Sequence, residues 1–317
     1  MDLISYYYFT ELAKDLNMSR TAERIFVSQQ TISNHVQRLE EFYGTPLFHR
    51  KPRLSLTYAG ENVLRFADNL NREHGNLKDM LGDMEKRDCG VLRFGISPMR
   101  ANICLPHILP EYAERYPNVK LEITSGFTAD LEGQVIDGTL DLAAVLKQEN
   151  DPVLQSRPLM RDELYFCVRE ELLRRCCPDP EAFKRKAKRG VGVGDIGSLP
   201  MSLNENRLGE RLLSAFHEEE LEVNLYIKCT DSQLSFQLGC EGIVAFFAYH
   251  SWLMGERDRI PADMNIFPYL YKGKKAPMQL SLIRRKDRYL PGYGQFFCEL
   301  LRTYYSRIEA VSLETGA

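Results

Sequence analysis

The chain has 317 residues, which at ~100–200 residues per domain predicts two or three domains with cores of ordinary size. Hydrophobic residues make up 44% and charged residues 27%, which excludes collagen-like and wholly disordered chains. With 41 Lys and Arg against 44 Asp and Glu the net charge is -3, so no whole-molecule basic field exists and any nucleic-acid contact has to be local.

Ile4, Tyr8, Leu12 and Leu16 recur at helical spacing and predict a first helix over 3–16 with that face buried. Ser19 is the expected cap of a short second helix over 20–25. Ser28 caps a third over 29–41, in which Ile32, Val36 and Leu39 line one face. So short a turn lays the third helix across the second. Behind Ser28, its other face carries Gln29, Gln30, Thr31, Ser33, Asn34, Gln37 and Arg38. Amide, hydroxyl and guanidinium groups match the donors and acceptors of base edges in the major groove. A solvated face is the plainer reading, but the scarcity of carboxylates before Glu40 favours base contact. After Gly44 and Pro46, residues 47–48 and 54–56 read as short strands around a tip whose Arg50, Lys51 and Arg53 are placed to meet phosphates.

A long helix is expected from Tyr58 to about Asp88. Val63, Ala67, Leu70, His74, Leu77, Leu81 and Met84 recur in steps of four and three, a seam along which two copies pair. The alternative is a helix packed on its own domain, and the polar residues around the rest of the helix favour pairing.

Beyond residue 89 the texture changes to strands alternating with helices. Strands are expected at 91–96, 120–124, 140–146, 163–168, 200–203, 224–229, 243–247, 266–270 and 278–284, with helices such as 104–116 and 292–306 between them. The pattern predicts α/β architecture with largely parallel sheets. Ser97 follows a strand and is placed to cap a helix with Pro98 in its first turn, so that free N–H groups face a crevice. Arg100 adds a cation nearby, and together they suit an anion. The competing reading is a plain helix cap beside a solvated arginine.

Other patterns carry less. The eight cysteines show no CxxC pair and no zinc spacing with histidine, so neither a metal nor a cofactor is expected. A GxGxxG match at 192–197 follows the basic run 184–189 rather than a strand, which argues against a dinucleotide site, and the run itself reads as solvated surface. No nucleophile elbow, HExxH or phosphate loop occurs, and no enzyme is expected. The first residues lack a basic stretch and an apolar core, and no apolar run approaches the ~20 residues of a membrane span, so a soluble cytoplasmic chain is expected.

The run 19–33 (SRTAERIFVSQQTIS), with Arg38-Leu39-Glu40-Glu41, Gly44-Thr45-Pro46-Leu47-Phe48 and Leu56-Thr57-Tyr58-Ala59-Gly60, resembles the N-terminal module of LysR-type bacterial transcriptional regulators. Residues 92–98 (LRFGISP), 116–119 (YPNV), 138–143 (GTLDLA) and 285–287 (RKD) resemble that family's effector-binding domain. The resemblance implies a winged helix-turn-helix over 1–58 and a dimerising linker helix over 59–88. It further implies a periplasmic-binding-protein-like effector domain over 89–317. Within that domain, subdomain I takes 89–161 and 268–317 and subdomain II takes 162–267. The effector cleft implied by the family holds Ser97, Pro98, Met99, Arg100 and Thr128 on one side and Ser202, Leu203 and Asn204 on the other. Gln30 stands where the family often has proline, a departure that bears on first-turn geometry and base preference. Partners implied are operator DNA as a duplex, a small and anionic effector, and further copies of the chain as homodimer or homotetramer. RNA polymerase is a further partner to expect, and a membrane is not. The rival reading is a solute-binding α/β protein whose N-terminal helices serve only association; an enzyme with a cleft active site ranks third.

Overall fold

The structure, a computed structural model, describes residues 2–84, 89–146, 151–275, 277–311 and 313, and divides into two units, Met1–Arg87 and Asp88–Ala317. The first unit opens with α1 (Leu3–Asp15), where the Asp2 carboxylate accepts a hydrogen bond from the Ser5 backbone N–H. Its buried face is Tyr6, Phe9 and Leu12, whereas Ile4 and Leu16 are 46% and 41% exposed, contrary to the expected face. Residues 3–9 are apolar nearly all round, so spacing alone selects no side and packing does. The cap of α2 (Met18–Arg24) is Asn17, which accepts from the Arg20 N–H, and not Ser19. In α3 (Gln29–Tyr43) Ser28 is the cap, as its position suggests, and Gly44 ends the helix at φ 65°, a conformation glycine adopts without strain.

Ile32, Val36 and Leu39 of α3 share one core with Tyr6, Phe9, Leu12 and Ala22. Two short antiparallel strands, β1 (Phe48–His49) and β2 (Ser55–Leu56), form a wing. The long helix α4 (Tyr58–Met84) completes the unit, and its Val63 and Ala67 are buried in that same core with Leu70 at the edge. These three seam positions therefore serve the fold of their own unit, because α4 lays its first turns against α1. The surface left for a partner on α4 is Phe66, Leu77, Met80 and Leu81, which are 51%, 49%, 36% and 48% exposed, with His74 also exposed. The Met84 side chain and residues 85–88, where the helix was expected to end, lie outside the described residues.

The second unit begins with β3 (Cys89–Ile96), α5 (Pro98–Arg115), β4 (Asn118–Ser125), α6 (Thr128–Ile136) and β5 (Leu142–Leu146), β3 pairing parallel with both β4 and β5. Next comes β6 (Leu154–Asp162), a strand the sequence did not suggest because Pro158 lies inside it. β6 is an edge strand, where a missing N–H costs little, and its register with the neighbouring strand shifts beside Pro158. The chain continues through β7 (Leu164–Arg169), α7 (Glu170–Cys176), α8 (Pro180–Ala187), α9 (Val193–Ile196), β8 (Met201–Asn204) and α10 (Arg207–Glu218). It then forms β9 (Leu225–Cys229), α11 (Ser232–Cys240), β10 (Phe246–Tyr249) and α12 (His250–Gly255). The return runs through β11 (Met264–Pro268), the small hairpin β12 (Leu270–Tyr271) and β13 (Lys274–Lys275), then β14 (Met278–Arg285) and α13 (Gly292–Glu309).

Because the returning strand β14 enters between β5 and β6 antiparallel to both, the five-stranded sheet has the order β4-β3-β5-β14-β6 and is mixed. The second half holds an antiparallel sheet β10-β7-β11 and the parallel pair β8-β9. The expectation of largely parallel sheets is corrected accordingly. β7 and β11 lie side by side as the two passages between halves, each of which has its own apolar core.

Candidate functional site

Burial of Ile32, Val36 and Leu39 fixes the rotation of α3, and Ser28, Gln29, Gln30, Asn34, Gln37 and Arg38 are left exposed, with Thr31 and Ser33 half-buried. The amides are held in weak local bonds. Gln29 Nε2 donates to Ser19 Oγ at 2.9 Å, Gln30 Nε2 to Asn34 Oδ1 at 2.8 Å, and Gln37 Nε2 to Glu41 Oε1 at 2.9 Å. Exposed bonds of this kind are readily exchanged for bonds to a partner. Arg38 has no ion pair among the described residues.

Glu40, where the amide-rich face ends, braces the wing. Its Oε1 accepts from the backbone N–H groups of Leu47 at 2.8 Å and Phe48 at 3.3 Å, and its Oε2 accepts from Arg50 Nη2 at 2.9 Å. Arg50 remains 64% exposed, so its pair with Glu40 is worth at most about 1 kcal/mol and yields easily to a phosphate. Lys51 and Arg53 at the tip are exposed and make no ion pair among the described residues. Behind this surface Arg24 ties α2 to Glu11 and Asp15 of α1, and its hydrogen bond holds the Asp15 carboxyl below its ordinary value. The turn between α2 and α3 displays Phe26, 94% exposed at φ 57°, a residue that the sequence reading passed over because its spacing fits no helix face.

In the second unit the predicted cleft residues separate into groups. Ser97 is the N-cap of α5 with Pro98 following, but its hydroxyl makes no capping bond and instead accepts from Arg100 Nη1 at 3.4 Å. Met99 packs against an apolar cluster around Trp252. Arg100 is neither solvated nor a free cation. It is 6% exposed, its Nη2 meets Asp162 Oδ2 at 3.1 Å, and its guanidinium lies 5.6 Å from the Tyr249 ring centre. Asp162, fully buried, also accepts from the Ser251 backbone N–H at 2.9 Å and from Ser251 Oγ at 2.6 Å. The pair thus joins α5 to the end of β6 and the start of α12.

Thr128 is the first residue of α6, half-buried and without a side-chain hydrogen bond among the described residues. On β8 alternation decides roles: Leu203 points into the apolar core and is withdrawn from any ligand, while Ser202 and Asn204 face the other way. Ser202 Oγ lies 2.8 Å from Ser235 Oγ. Asn204 Oδ1 accepts from Ser235 Oγ at 2.8 Å and from Cys229 Sγ at 3.3 Å, and its Nδ2 donates to Ser232 Oγ at 2.9 Å. No hydrogen bond connects this network to Ser97 or Thr128 among the described residues.

A cavity of about 350 Å³ opens beside Tyr249, lined by Arg207, Arg211, Tyr269, Tyr271 and Met278 among others. Arg207 and Arg211 lie one turn apart on α10, and Arg211 packs on Met278 Sδ with no carboxylate partner among the described residues. Burial pushes the Tyr249 and Tyr269 hydroxyls up to about 12, so both are neutral donors at physiological pH. None of the residues expected from the sequence lines this cavity. Tyr249, which borders it and also faces Arg100, is the link between the two. Its walls come from the starts of β7 and β14, from α10, from the end of β10 and from Tyr269 and Tyr271 at β12, segments so far apart along the chain that no local pattern signals them.

Comparison with known proteins agrees with this division. Residues 4–61 match the model of the bacterial regulatory helix-turn-helix protein, lysR family, and residues 85–306 match that of the LysR substrate binding domain. An uncharacterized HTH-type transcriptional regulator of Bacillus subtilis, YkuM, is 29% identical over 52% of this chain and 57% of its own length. The HTH-type transcriptional activator IlvY of Salmonella typhimurium is 35% identical over 48% of this chain and 52% of its own length. The chain thus spans about half the length of these curated relatives. The crystal structure of full-length CbnR complexed with its target DNA superposes with a TM-score of 0.62 at 19% identity, covering 96% of this chain and 99% of that one. A helix-turn-helix unit with a wing, followed by a two-halved α/β unit, and matches that together run over most of its length place this chain in the LysR family of bacterial regulators.

Proposed function

We propose that the protein is a sequence-specific DNA-binding transcriptional regulator whose second unit responds to a small anion bound between its two halves. The observation that carries this reading is the exposed, amide-rich face of α3 set beside a cationic wing by Glu40. Domain limits follow from the sequence reading: 1–58 reads DNA, 59–88 links copies, and 89–317 binds effector, with its halves at 89–161 plus 268–317 and 162–267. The relatives are transcriptional regulators, which supports a non-enzymatic role, and such a role is exercised in the cytoplasm. For the effector, the Arg211 and tyrosine cavity joins Ser97, Thr128, Ser202 and Asn204 as the expected contacts, since its guanidinium and neutral hydroxyls all donate.

Binding of the full chain to duplexes selected from a random pool, measured at several salt concentrations, tests the reading. Gln29→Ala is expected to narrow the gap between selected and random duplexes by about 1–3 kcal/mol. Arg53→Ala is expected to weaken both alike and to reduce the salt slope by about one. If no sequence is enriched, or if the two variants behave identically, α3 does not read bases.

A further inference from the structure

Gln30 and Asn34 stand one turn apart on the exposed face of α3, and Gln30 Nε2 donates to Asn34 Oδ1 at 2.8 Å. A proline at position 30, where the family often has one, would supply no such bond. The helix begins without that proline, because Ser28 caps it and its Oγ accepts from the Thr31 N–H at 3.1 Å. The amide of Gln30 is therefore free to act on its neighbour.

That bond fixes the direction in which the Asn34 amide faces. An amide oxygen carries two lone pairs and an amide nitrogen two hydrogens, so Asn34 keeps an acceptor on Oδ1 and a donor on Nδ2 while Gln30 holds it. No further hydrogen bond or ion pair occupies either side chain among the described residues. In the major groove adenine sets a donor, N6, beside an acceptor, N7. Guanine offers two acceptors, cytosine a donor, and thymine an acceptor beside a methyl group. One acceptor next to one donor thus satisfies both positions on adenine and on no other base. Asn34 lies in the second turn of α3, within the part of a reading helix that reaches base edges.

We propose that, given the base-reading role of α3, Asn34 reads an adenine through both of these bonds and Gln30 is the positioning residue that holds its amide for them. The pair acts as one unit, and the preference it sets belongs to this chain's own residues at 30 and 34.

Selection of duplexes from a random pool by the full chain, followed by binding of the selected duplex and its single-base analogues, tests it. One position is expected to be adenine for the wild type, to lose its preference in Asn34→Ala and to become guanine in Asn34→Arg, since a guanidinium fork matches two acceptors. Replacing that adenine with 7-deazaadenine, which lacks the N7 acceptor, is expected to weaken the wild type about tenfold and to leave Asn34→Ala unchanged. Gln30→Met keeps the length of the side chain and removes its donor, and is expected to lower the preference for adenine about threefold or more with the other positions intact. Both residues are exposed, so folding is not at stake. A base other than adenine at the position that Asn34 controls, equal weakening of the wild type and Asn34→Ala by 7-deazaadenine, or an unaltered adenine preference in Gln30→Met would each overturn the proposal. A pool from which the wild type enriches nothing would overturn the base-reading role of α3 itself.

Discussion

Asp162→Ala is expected to destabilise the second unit by about 3–5 kcal/mol, because it strands the Arg100 guanidinium in a site with almost no access to water. The carboxylate is fully buried and serves Arg100, the Ser251 N–H and the Ser251 hydroxyl together, so its removal leaves several donors unmatched at once. Urea unfolding of the chain, followed by tryptophan fluorescence, measures it, since the single Trp252 lies one residue from Ser251. Replacing Arg100 with Leu as well is expected to restore part of the loss, as removing both charges costs less than isolating one. A cost below about 1 kcal/mol for Asp162→Ala would show that the site admits water.

Leu77→Asp combined with Leu81→Asp is expected to convert an oligomer into monomers at micromolar concentration, with loss of tight DNA binding. Both residues are about half exposed on α4, in a stripe with Met80 and with Phe66, which keeps half its surface exposed beside an edge contact with Tyr6. Burying a carboxylate in such a seam without a partner costs several kcal/mol per copy. Val63→Asp is expected to act differently, unfolding the first unit because Val63 belongs to the core it shares with Phe9 and Ile32. Light scattering together with circular dichroism separates the two outcomes. An unchanged mass for the double variant would assign pairing to another surface.

The contrast between these two seam positions shows what the sequence reveals. A heptad stripe identifies an apolar face but not its cover, and Val63 and Leu77 look alike until α1 is in place. The amide-rich face of α3 was legible because its apolar partners are few and regularly spaced, and the wing because Gly44 and Pro46 bound it. The face of α1 was not, since Tyr6, Tyr7, Tyr8 and Phe9 offer every side an apolar surface. Arg100 looked like a ligand because its counter-charge lies 62 residues away, at the end of a strand that Pro158 concealed. The Arg211 and tyrosine cavity and the Ser235 and Cys229 network are likewise built from separate segments, each ordinary by itself.

Glu40 makes the helix and the wing one rigid caliper. Its Oε1 accepts from the backbone N–H groups of both Leu47 and Phe48, so the root of the wing follows any tilt of α3 even when Arg50 lets go of Oε2. If α3 reads bases as proposed, a shift of the helix on a poorly fitting duplex carries the wing with it and is expected to draw Arg50, Lys51 and Arg53 away from the backbone together. A mismatch is then expected to be penalised twice, once at the bases and once at the backbone, through a side chain whose own bonds are to the wing.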